Sequence, residues 1–249
     1  MFSEERQEQI RLELTRRGRV EVSELARRYG VSEHTVRRDL GTLASRGLLQ
    51  KTHGGAVALN TAHLDWATRA ETLPAAKERI GRAAAALVQP GQTVVVEAGS
   101  TTLALARHLS VRPLTVITNS LDVAALFAGD AAVSLVVSGG VWDPRGRALR
   151  GTDARETLSS YRADWTMLGT CALHPRTGAT VTSEEDAAIK RAMAAMGVRT
   201  AVLADHSKRD QVAAHLVLPL EQLDLVVTDQ PWPELAELGV DVLVADGEG

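Results

Sequence analysis

The sequence is poor in cysteine, aromatic residues and long apolar runs, and each shortage excludes a class of protein. A single cysteine, Cys171, excludes an internal disulfide framework and any cysteine-rich zinc site. No run approaches the roughly 20 apolar residues that cross a bilayer, and the first residues lack the apolar core of a signal peptide. Aromatic residues make up 3% of the 249 residues, so Ala, Val and Leu must build the core. We therefore expect a cytoplasmic protein with no membrane partner.

The chain has little net charge, but that charge is unevenly placed. Its 28 basic and 31 acidic residues give a formal charge of −3, which as an average gives no sign of a polyanionic partner. Residues 1–58 hold 11 of the basic and 8 of the acidic residues, so this part carries +3 and the remainder carries −6. Opposite signs in a small first part and a large second part favour two domains with different partners.

Residues 1–58 show the pattern of three short helices followed by a hairpin. Ser3, Ser23 and Ser32 each precede a helical pattern and are the predicted N-caps. Two short strands, around the turn at residues 52–55, are predicted to follow the third helix. The glycines predicted to end the three helices are Gly18, Gly30 and Gly47.

The third helix is predicted to have an apolar face and an opposite face that is basic and polar. Val36, Leu40 and Leu43 are spaced four and then three residues apart, which places them on one side of a helix. Two short helices joined by a tight glycine turn, with a basic face on the second, are typical of a helix-turn-helix. The pattern places this motif at about residues 20–39.

The exposed side of the third helix has the chemistry of a surface that reads double-stranded DNA. Arginine can fork onto a guanine edge, threonine can touch a phosphate or a thymine methyl group, and the hairpin can reach the adjacent backbone. The alternative is that Arg37 and Arg38 are only solvated, or that one of them pairs with Asp39. The residues predicted to contact DNA are Ser32, His34, Thr35, Arg37, Arg38, Lys51 and His53.

Three segments of this part resemble the winged helix-turn-helix of DeoR-type bacterial transcriptional regulators. They are residues 31–40 (VSEHTVRRDL), 47–49 (GLL) and 53–56 (HGGA), and their order and spacing match the family pattern. The resemblance implies that residues 1–58 bind an operator in double-stranded DNA. We expect a homo-oligomer, a dimer or a tetramer, that places two such domains in successive major grooves.

The remainder of the chain is predicted to form an α/β domain with a largely parallel sheet. Strand-like and helical runs alternate over residues 74–249, which is typical of βαβ units and of a Rossmann-like architecture. Residues 59–73 show no clear period and are predicted to be a linker. In such sheets ligands bind where loops leave the carboxyl ends of the strands.

Polar and glycine-rich loops follow several of these predicted strands. The segment 97–102 (EAGSTT) opens directly into a helix, where hydroxyls and backbone amides can hold an anion. Residues 205–208 (DHSK) place a carboxylate and an ammonium three positions apart. Together the loops fit a small, polyhydroxylated phosphate ester. The residues predicted to bind it are Glu97, Gly99, Ser100, Thr101, Thr102, Asn119, Gly139, Gly140, Asp205 and Lys208.

These loops, together with residues 149–151 and 190–193, resemble the sensor domain of DeoR-type regulators, which is related in fold to ribose-5-phosphate isomerases. The resemblance implies a repressor of carbohydrate-metabolism genes whose DNA affinity is modulated by a phosphorylated sugar. It implies no cofactor, metal site or catalytic residue. Glu97 stands where the family usually has Asp, which shifts any bound hydroxyl by about one methylene. The alternative is an isomerase-like enzyme with an appended DNA-binding domain, in which Glu97, Asp205 and Lys208 carry the chemistry.

Overall fold

The computed structural model describes residues 2–17, 19–45, 49–58 and 66–245. The chain divides into two compact units, Met1–Asn60 and Thr61–Gly249. Among the described residues, no helix is both long enough and apolar enough to cross a membrane. Each unit has its own apolar core.

The described part of the first unit holds three helices and a small antiparallel sheet. Its strands are ordered β1-β3-β2, so β2 and β3 form the hairpin that the sequence predicts. Strand β1 was not predicted, because three residues are too few to show an alternating pattern. In chain order the elements are α1 (Ser3–Arg17), β1 (Arg19–Glu21), α2 (Val22–Tyr29), α3 (Glu33–Ser45), β2 (Leu49–Lys51) and β3 (Gly55–Ala58).

The predicted cap of α3 is confirmed, whereas the predicted caps of α1 and α2 are wrong. The Ser32 hydroxyl accepts a hydrogen bond from the Thr35 amide at 3.1 Å. Ser23 lies inside α2, because the helix begins at Val22, two residues before the start that a Ser23 cap would give; the Val22 amide bonds to the Gly54 carbonyl at 2.9 Å. Ser3 lies within α1 and donates its hydroxyl to a distant carboxylate instead.

Glycine ends α2 as the sequence predicts. Gly30 has a φ of 64°, in the left-handed region, and its amide bonds back to Ala26. The other two predicted stops, Gly18 and Gly47, lie outside the described residues.

The core of the first unit is built from the apolar faces of its helices. Val36, Leu40 and Leu43 are at most 2% exposed, which confirms the predicted inward face of α3. They pack with Ile10 of α1 and Leu25 of α2, among other apolar residues. A core this small leaves the orientation of α3 dependent on few contacts.

A buried ion pair adds to those contacts by tying α1 to α3. Arg6 Nε lies 2.6 Å from Asp39 Oδ2, and both side chains are less than 10% exposed. Gln7 and Ser3 each donate to the other carboxylate oxygen at 3.1 Å. Burial alone would raise the pKa of Asp39, but the hydrogen bonds from Arg6, Gln7 and Ser3 outweigh it and hold the pKa below its ordinary value. Asp39 is therefore engaged by α1.

We expect Arg6→Met to destabilise α3 by about 3–5 kcal/mol, because it leaves a buried carboxylate without its cation. The measurement is hydrogen exchange of the α3 amides in the full chain. Arg11→Met is the matched control, because Arg11 pairs with Glu8 in a half-exposed contact on the same helix and such pairs contribute less than about 1 kcal/mol.

The effect of Arg6→Met also depends on pH. Because the folded pKa of Asp39 is lowered, its stabilisation is present above the unfolded pKa of about 4 and is lost as the pH falls through the folded value. The difference between wild type and variant should therefore shrink in acid. Equal losses for the two arginine variants at neutral pH would contradict the structural role given to the pair.

The second unit is built around a parallel sheet. Its described strands, in chain order, are β4 (Thr93–Val96), β5 (Leu114–Thr118), β6 (Val133–Val137), β7 (Val141–Asp143), β8 (Ala148–Arg150), β9 (Ala163–Gly169), β10 (Ala172–His174), β11 (Gly178–Val181), β12 (Gly197–Leu203), β13 (His215–Leu218), β14 (Leu225–Thr228) and β15 (Asp241–Val244). Seven of these described strands pair in the order β15-β14-β12-β9-β4-β5-β6, all parallel. The predicted parallel sheet is confirmed.

Helices cover both faces of this sheet. They are α4 (Trp66–Glu71), α5 (Pro74–Ala85), α6 (Ser100–His108), α7 (Leu121–Phe127), α8 (Thr152–Ser159), α9 (Glu184–Ala194) and α10 (Pro233–Glu237). Along β4, Val94 and Val96 belong to one core cluster and Val95 to the other, and all three are fully buried. A strand that is buried on both faces reads as a continuous apolar run rather than an alternating one.

The structure adds elements that the sequence did not predict. A hairpin of β7 and β8 and a small sheet of β10, β11 and β13 extend from the parallel sheet. Helix α4 occupies Trp66–Glu71, within the segment expected to be an irregular linker. These elements are three to six residues long, too short for a pattern of apolar residues to show.

Two helices on one face of the parallel sheet, α5 and α6, cross at a glycine. A Cβ on Gly81 of α5 would lie 2.6 Å from the backbone atoms of Ala104 and Leu105 in α6. Glycine is therefore required here because the two backbones approach too closely for a side chain.

Gly81→Ala should destabilise the second unit by about 1–3 kcal/mol, because the added methyl group forces the two helices apart. The measurement is the urea unfolding transition of the full chain, followed by tryptophan fluorescence. Gly129→Ala is the control: that glycine is exposed and an added Cβ meets nothing within 4 Å. If both variants unfold at the wild-type urea concentration, the close crossing is wrong.

Candidate functional site

The outward face of α3 carries His34, Arg37 and Arg38, all exposed to solvent. Arg37 Nη2 lies 3.0 Å from Glu33 Oε2 one turn away, and both side chains are about half exposed. Such a pair contributes little free energy and exchanges easily with another anion. Among the described residues, no carboxylate lies within ion-pair distance of Arg38. Asp39 pairs with Arg6 of α1 and therefore does not neutralise Arg37 or Arg38, so the outward face of α3 is positively charged.

The other residues predicted to contact DNA lie beside α3 or on the hairpin. Ser32 is exposed at the start of α3, and its hydroxyl lies 2.9 Å from that of the half-buried Thr35. Lys51 ends β2, and His53 lies in the turn before β3; both are exposed. These positions suit contacts with phosphates or base edges, as predicted from the sequence.

The second unit has a pocket at the carboxyl edge of its parallel sheet, where β4, β9 and β12 end. The pocket is open to solvent, and its empty space together with the adjoining solvent is about 490 Å³. Five of the residues predicted to bind a ligand line it: Glu97, Gly99, Ser100, Thr101 and Lys208. The other lining residues are Arg69, Lys77, Ala98, Gly146, Arg150, Gly169, Thr170, Cys171, Asp186 and Lys190.

The loop between β4 and α6 is shaped to receive an anion. Gly99 precedes α6, so no N-cap side chain occupies the amides of its first turn. Ser100 and Thr101 add hydroxyls at the pocket wall. The Asn119 side chain fixes the loop, because its oxygen accepts from the Ala98 amide at 2.8 Å. Amides and hydroxyls at a helix N-terminus are typical partners of phosphate.

Glu97 forms a buried ion pair at one side of the pocket. Its Oε1 lies 2.5 Å from Lys190 Nζ, and its Oε2 accepts from the Gly169 amide at 3.1 Å. Lys190 also donates to the Gly169 carbonyl at 3.0 Å. Burial lowers the pKa of Lys190, but the Asp186 and Glu97 carboxylates outweigh it and raise the pKa above its ordinary value. Lys190 therefore stays charged and neutralises Glu97.

The remaining cations of the pocket divide into paired and unpaired side chains. Arg150 is paired, with nitrogens 2.7 Å from Asp143 and 3.7 Å from Asp186. For Arg69, Lys77 and Lys208, no carboxylate of the described chain lies within ion-pair distance. We call these three residues the cationic cluster.

The two lysines of the cationic cluster are buried in a place that disfavours their charge, whereas Arg69 is half-buried. Lys77 is 4% exposed and Lys208 6%. Burial, with the charges of Lys208 and Arg69, lowers the pKa of Lys77 to about 8, although Asp205 opposes this. Burial likewise lowers the pKa of Lys208, again against the attraction of Asp205. A bound anion would relieve both effects.

Five of the predicted ligand residues lie near the pocket without lining it. Thr102 is fully buried and donates its hydroxyl to the Gly99 carbonyl at 3.0 Å. Asn119 holds the loop, as described above. Asp205 accepts from the Ser207 amide at 3.0 Å, and its other oxygen is buried without a partner in the described chain. Gly139 and Gly140 follow β6, beyond the lining residues. Their predicted contacts stay predictions.

Sequence reasoning did not assign a ligand role to Arg69, Lys77, Arg150, Lys190 or Cys171, which all line the pocket. Lys77 lies on α5 and Lys190 on α9, and the periodicity of a helix indicates only whether a residue faces solvent or the core. Arg69 lies in the segment taken for a linker. Counting the basic residues of the second part would not have distinguished the four pocket cations from the others. Only the fold brings those four side chains to one pocket.

Comparison with known proteins agrees with both parts of this description. Residues 6–62 match the model of the DeoR-like helix-turn-helix domain, and residues 73–230 match that of the DeoR C-terminal sensor domain. The HTH-type transcriptional repressor GlcR of Bacillus subtilis is 33% identical over 99% of this chain and 98% of its own length. A putative aga operon transcriptional repressor of Escherichia coli O157:H7 is 29% identical over 96% of this chain and 93% of its own length.

A solved structure, ribose 5-phosphate isomerase A of Methanocaldococcus jannaschii, matches 53% of each chain with 18% identity and a TM-score of 0.39. That likeness is too remote to bear on activity. The two family models together cover most of the chain, and the relatives match it nearly end to end. The exposed basic helix and the pocket thus belong to one kind of protein, and the chain is a member of the DeoR family of DNA-binding transcriptional regulators.

Proposed function

We propose that this regulator is a repressor of carbohydrate-metabolism genes and that a phosphorylated sugar in the pocket modulates its affinity for operator DNA. One observation carries the ligand class: the cationic cluster lies in the same pocket as the amides and hydroxyls of Gly99–Thr101. Unpaired cations and a helix N-terminus favour a phosphate group. A relative named L-fucose operon activator in Haemophilus influenzae, 28% identical over 89% of this chain and 90% of its own length, supports a sugar as the rest of the ligand.

DNA recognition is assigned to the exposed face of α3 and to the hairpin. Arg38 has no carboxylate partner in the described chain and Arg37 has only a half-exposed one. Two such surfaces in a homo-oligomer, a dimer or a tetramer, would read half-sites about one helical turn (~34 Å) apart. A DNA-binding regulator must reach operator DNA inside the cell, so we place the protein in the bacterial cytoplasm.

The two acidic side chains that line the pocket, Glu97 and Asp186, are paired with cations of the protein and are not placed to act as catalytic bases. Glu97 has both oxygens occupied, by Lys190 and by the Gly169 amide. Asp186 is within 3.7 Å of Arg150. A general base needs an accessible oxygen within reach of the proton that it removes. We therefore propose that the protein is not an isomerase, and the test is an assay of ketose–aldose interconversion with the purified chain.

DNA binding and sugar phosphate binding are linked by one coupling free energy. If the sugar phosphate weakens DNA binding by some factor, DNA must weaken sugar phosphate binding by the same factor. The coupling can therefore be measured from either side, with DNA retention or with ligand affinity as the readout.

Arg38→Ala should weaken operator binding by about 10- to 100-fold, because one contact to a base edge contributes about 1–3 kcal/mol. The DNA is a fragment selected from a random pool by the wild-type protein, and retention is measured by fluorescence anisotropy. Arg11→Ala removes the same charge from α1 and is the control. Loss of sugar phosphate binding together with DNA binding would show that Arg38 is structural.

Lys208→Met should weaken sugar phosphate binding by about 10- to 100-fold, because a hydrogen bond to a charged group contributes about 1.5–3 kcal/mol. Hexose and pentose monophosphates are screened by thermal shift beside the unphosphorylated sugars. Binders are then added to the protein–DNA complex. Arg176→Met, an exposed position outside the pocket, is the control. If no sugar phosphate both stabilises the protein and alters DNA retention, the proposed ligand class is wrong.

A further inference from the structure

Strand β6 lies at an open edge of the parallel sheet, opposite to the edge formed by β15. Its bonds to β5 run through its even-numbered residues, because the Ala132 carbonyl accepts from the Leu114 amide at 3.2 Å. Successive residues of a strand direct their backbone groups to alternate sides. The amides and carbonyls of Val133, Leu135 and Val137 therefore face away from β5. No strand of the described chain pairs with this side of β6.

An open edge is normally protected by charge, and β6 has none. Natural edge strands carry lysines, inward-pointing charges or prolines, which prevent pairing with another chain. Strand β6 has the sequence VSLVV, whereas β15 at the opposite edge begins with the exposed Asp241. A strand with free backbone donors and acceptors and no such protection is suited to pair with another strand.

The surface around β6 is poor in charge over a longer stretch. Residues 121–141, which include α7, the turn after it and β6, contain two charged side chains, whereas 24% of the whole chain is charged. Both are neutralised within the protein: Asp130 Oδ2 lies 2.6 Å from Arg112 Nε, and Asp122 pairs with Arg147. All but four of these 21 residues are exposed or half-buried. We call residues 121–141 the neutral edge.

Helix α7 adds apolar side chains to the neutral edge. Leu121 and Leu126 are 47% and 45% exposed. The helix covers the face of the sheet that carries the Leu135 side chain, because Leu135 packs against the core cluster that contains Val123 and Phe127. Covering exposed leucines beside an unpaired strand removes apolar surface from water. The neutral edge thus combines free backbone groups with apolar side chains on one face.

We propose that the neutral edge binds a second copy of this chain, with the two β6 strands paired antiparallel across a twofold axis at Leu135. The inference rests on the proposed function for the need of a homo-oligomer, and it adds the surface through which two copies associate. A second copy fits because the edge is complementary to itself. A twofold interface uses the same patch on both copies, and opposite residues of an antiparallel pair exchange both hydrogen bonds.

The register of this pairing follows from the residues that face outward. Leu135 lies opposite Leu135 of the second copy, and Val133 lies opposite Val137 in both directions. All three have outward amide and carbonyl groups, so the pairing forms about six hydrogen bonds. The twofold axis is perpendicular to the sheet, so the two α7 helices lie on the same face and their exposed leucines approach each other.

Charge and size both favour a second copy as the partner. A neutral surface has no field that attracts a charged partner, and it is matched best by another neutral surface. In the antiparallel pair, Asp130 before one β6 lies towards the uncharged residues 138–140 after the other β6, so like charges are not opposed. The 21 residues of the neutral edge fall within the roughly 20–30 residues a side of a stable interface.

The first test is hydrogen exchange of the full chain at single-residue resolution, at concentrations where sedimentation velocity shows dimer and monomer. In the dimer, the amides of Val133, Leu135 and Val137 should exchange slowly, and dilution to the monomer should remove their protection. The amides of Ser134 and Val136 bond to β5 and should stay protected at both concentrations. They are the internal control for the folded sheet.

Leu135→Pro removes one outward N–H from each copy and no bond to β5, a change that an edge strand tolerates. It should raise the dissociation constant of the dimer by at least about 30-fold, the loss expected for two backbone hydrogen bonds. Val242→Pro is the matched control at the opposite edge. Val242 is half-buried like Leu135, and its amide also faces outward, because Ala245 of the same side chain register bonds to Thr228 of β14 at 2.7 Å three residues further on.

A second variant places a charge on the edge without changing the backbone. Ser134 is exposed, so Ser134→Lys leaves the core intact and decides the question if Leu135→Pro does not fold. It should raise the dissociation constant by about tenfold or more, because each lysine would lie beside an apolar strand. Ser159→Lys, at an exposed position of α8 outside the neutral edge, is its control. Unchanged exchange in the β4 amides shows that each variant is folded.

Three results would overturn the proposal. They are a wild type that is monomeric at micromolar concentration, an oligomer whose outward β6 amides exchange as fast as in the monomer, and folded β6 variants that dissociate no more readily than their controls. If a sugar phosphate alters DNA retention of an oligomer whose β6 is unpaired, the proposed function stands and the role of the neutral edge falls. If β6 pairs but no sugar phosphate alters DNA retention, the interface stands and the proposed regulation falls.

Discussion

The buried ion pair between Glu97 and Lys190 is the contact on which the pocket depends. Glu97 follows β4 and binds both Lys190 of α9 and the amide of Gly169 at the end of β9, so one carboxylate joins three elements. Breaking a buried pair costs about 3–5 kcal/mol, because the remaining charge is left in an apolar surrounding. The pair fixes these strand ends and removes both charges from ligand binding. The positive character of the pocket therefore comes from the cationic cluster.

That cluster explains how an acidic part of the chain can take an anionic ligand. Residues 59–249 carry a net charge of −6, yet five cationic and two acidic side chains line the pocket. Low dielectric walls strengthen the field of local charges relative to that of distant ones. In the first part the net charge and the candidate site have the same sign, since its +3 charge includes the exposed arginines of α3. The net charge of the whole chain, −3, therefore indicates neither the DNA partner nor the anionic ligand.

The sequence predicted most of the fold and about half of the candidate ligand site. Long βαβ runs and the spacing of Val36, Leu40 and Leu43 are repeated signals, and each was confirmed. Ser23 failed as a cap because a bond between Val22 and the Gly54 carbonyl, distant in sequence, starts α2 earlier. The loop at Gly99–Thr101 could be found because all its members are consecutive, whereas Arg69 and Lys77 stand in separate elements.

By itself the sequence determined the family, the alternation of strands and helices that builds the parallel sheet, the two-part charge distribution and the position of the loop at Gly99–Thr101. These depend on neighbours in sequence, through periodicity and capping. Only the tertiary structure decided that Asp39 belongs to Arg6 and that Glu97 belongs to Lys190. It alone also showed that Arg69, Lys77 and Lys208 converge. Charge pairing is set by distance in space, and the parallel sheet brings strand ends together that lie more than a hundred residues apart in the chain.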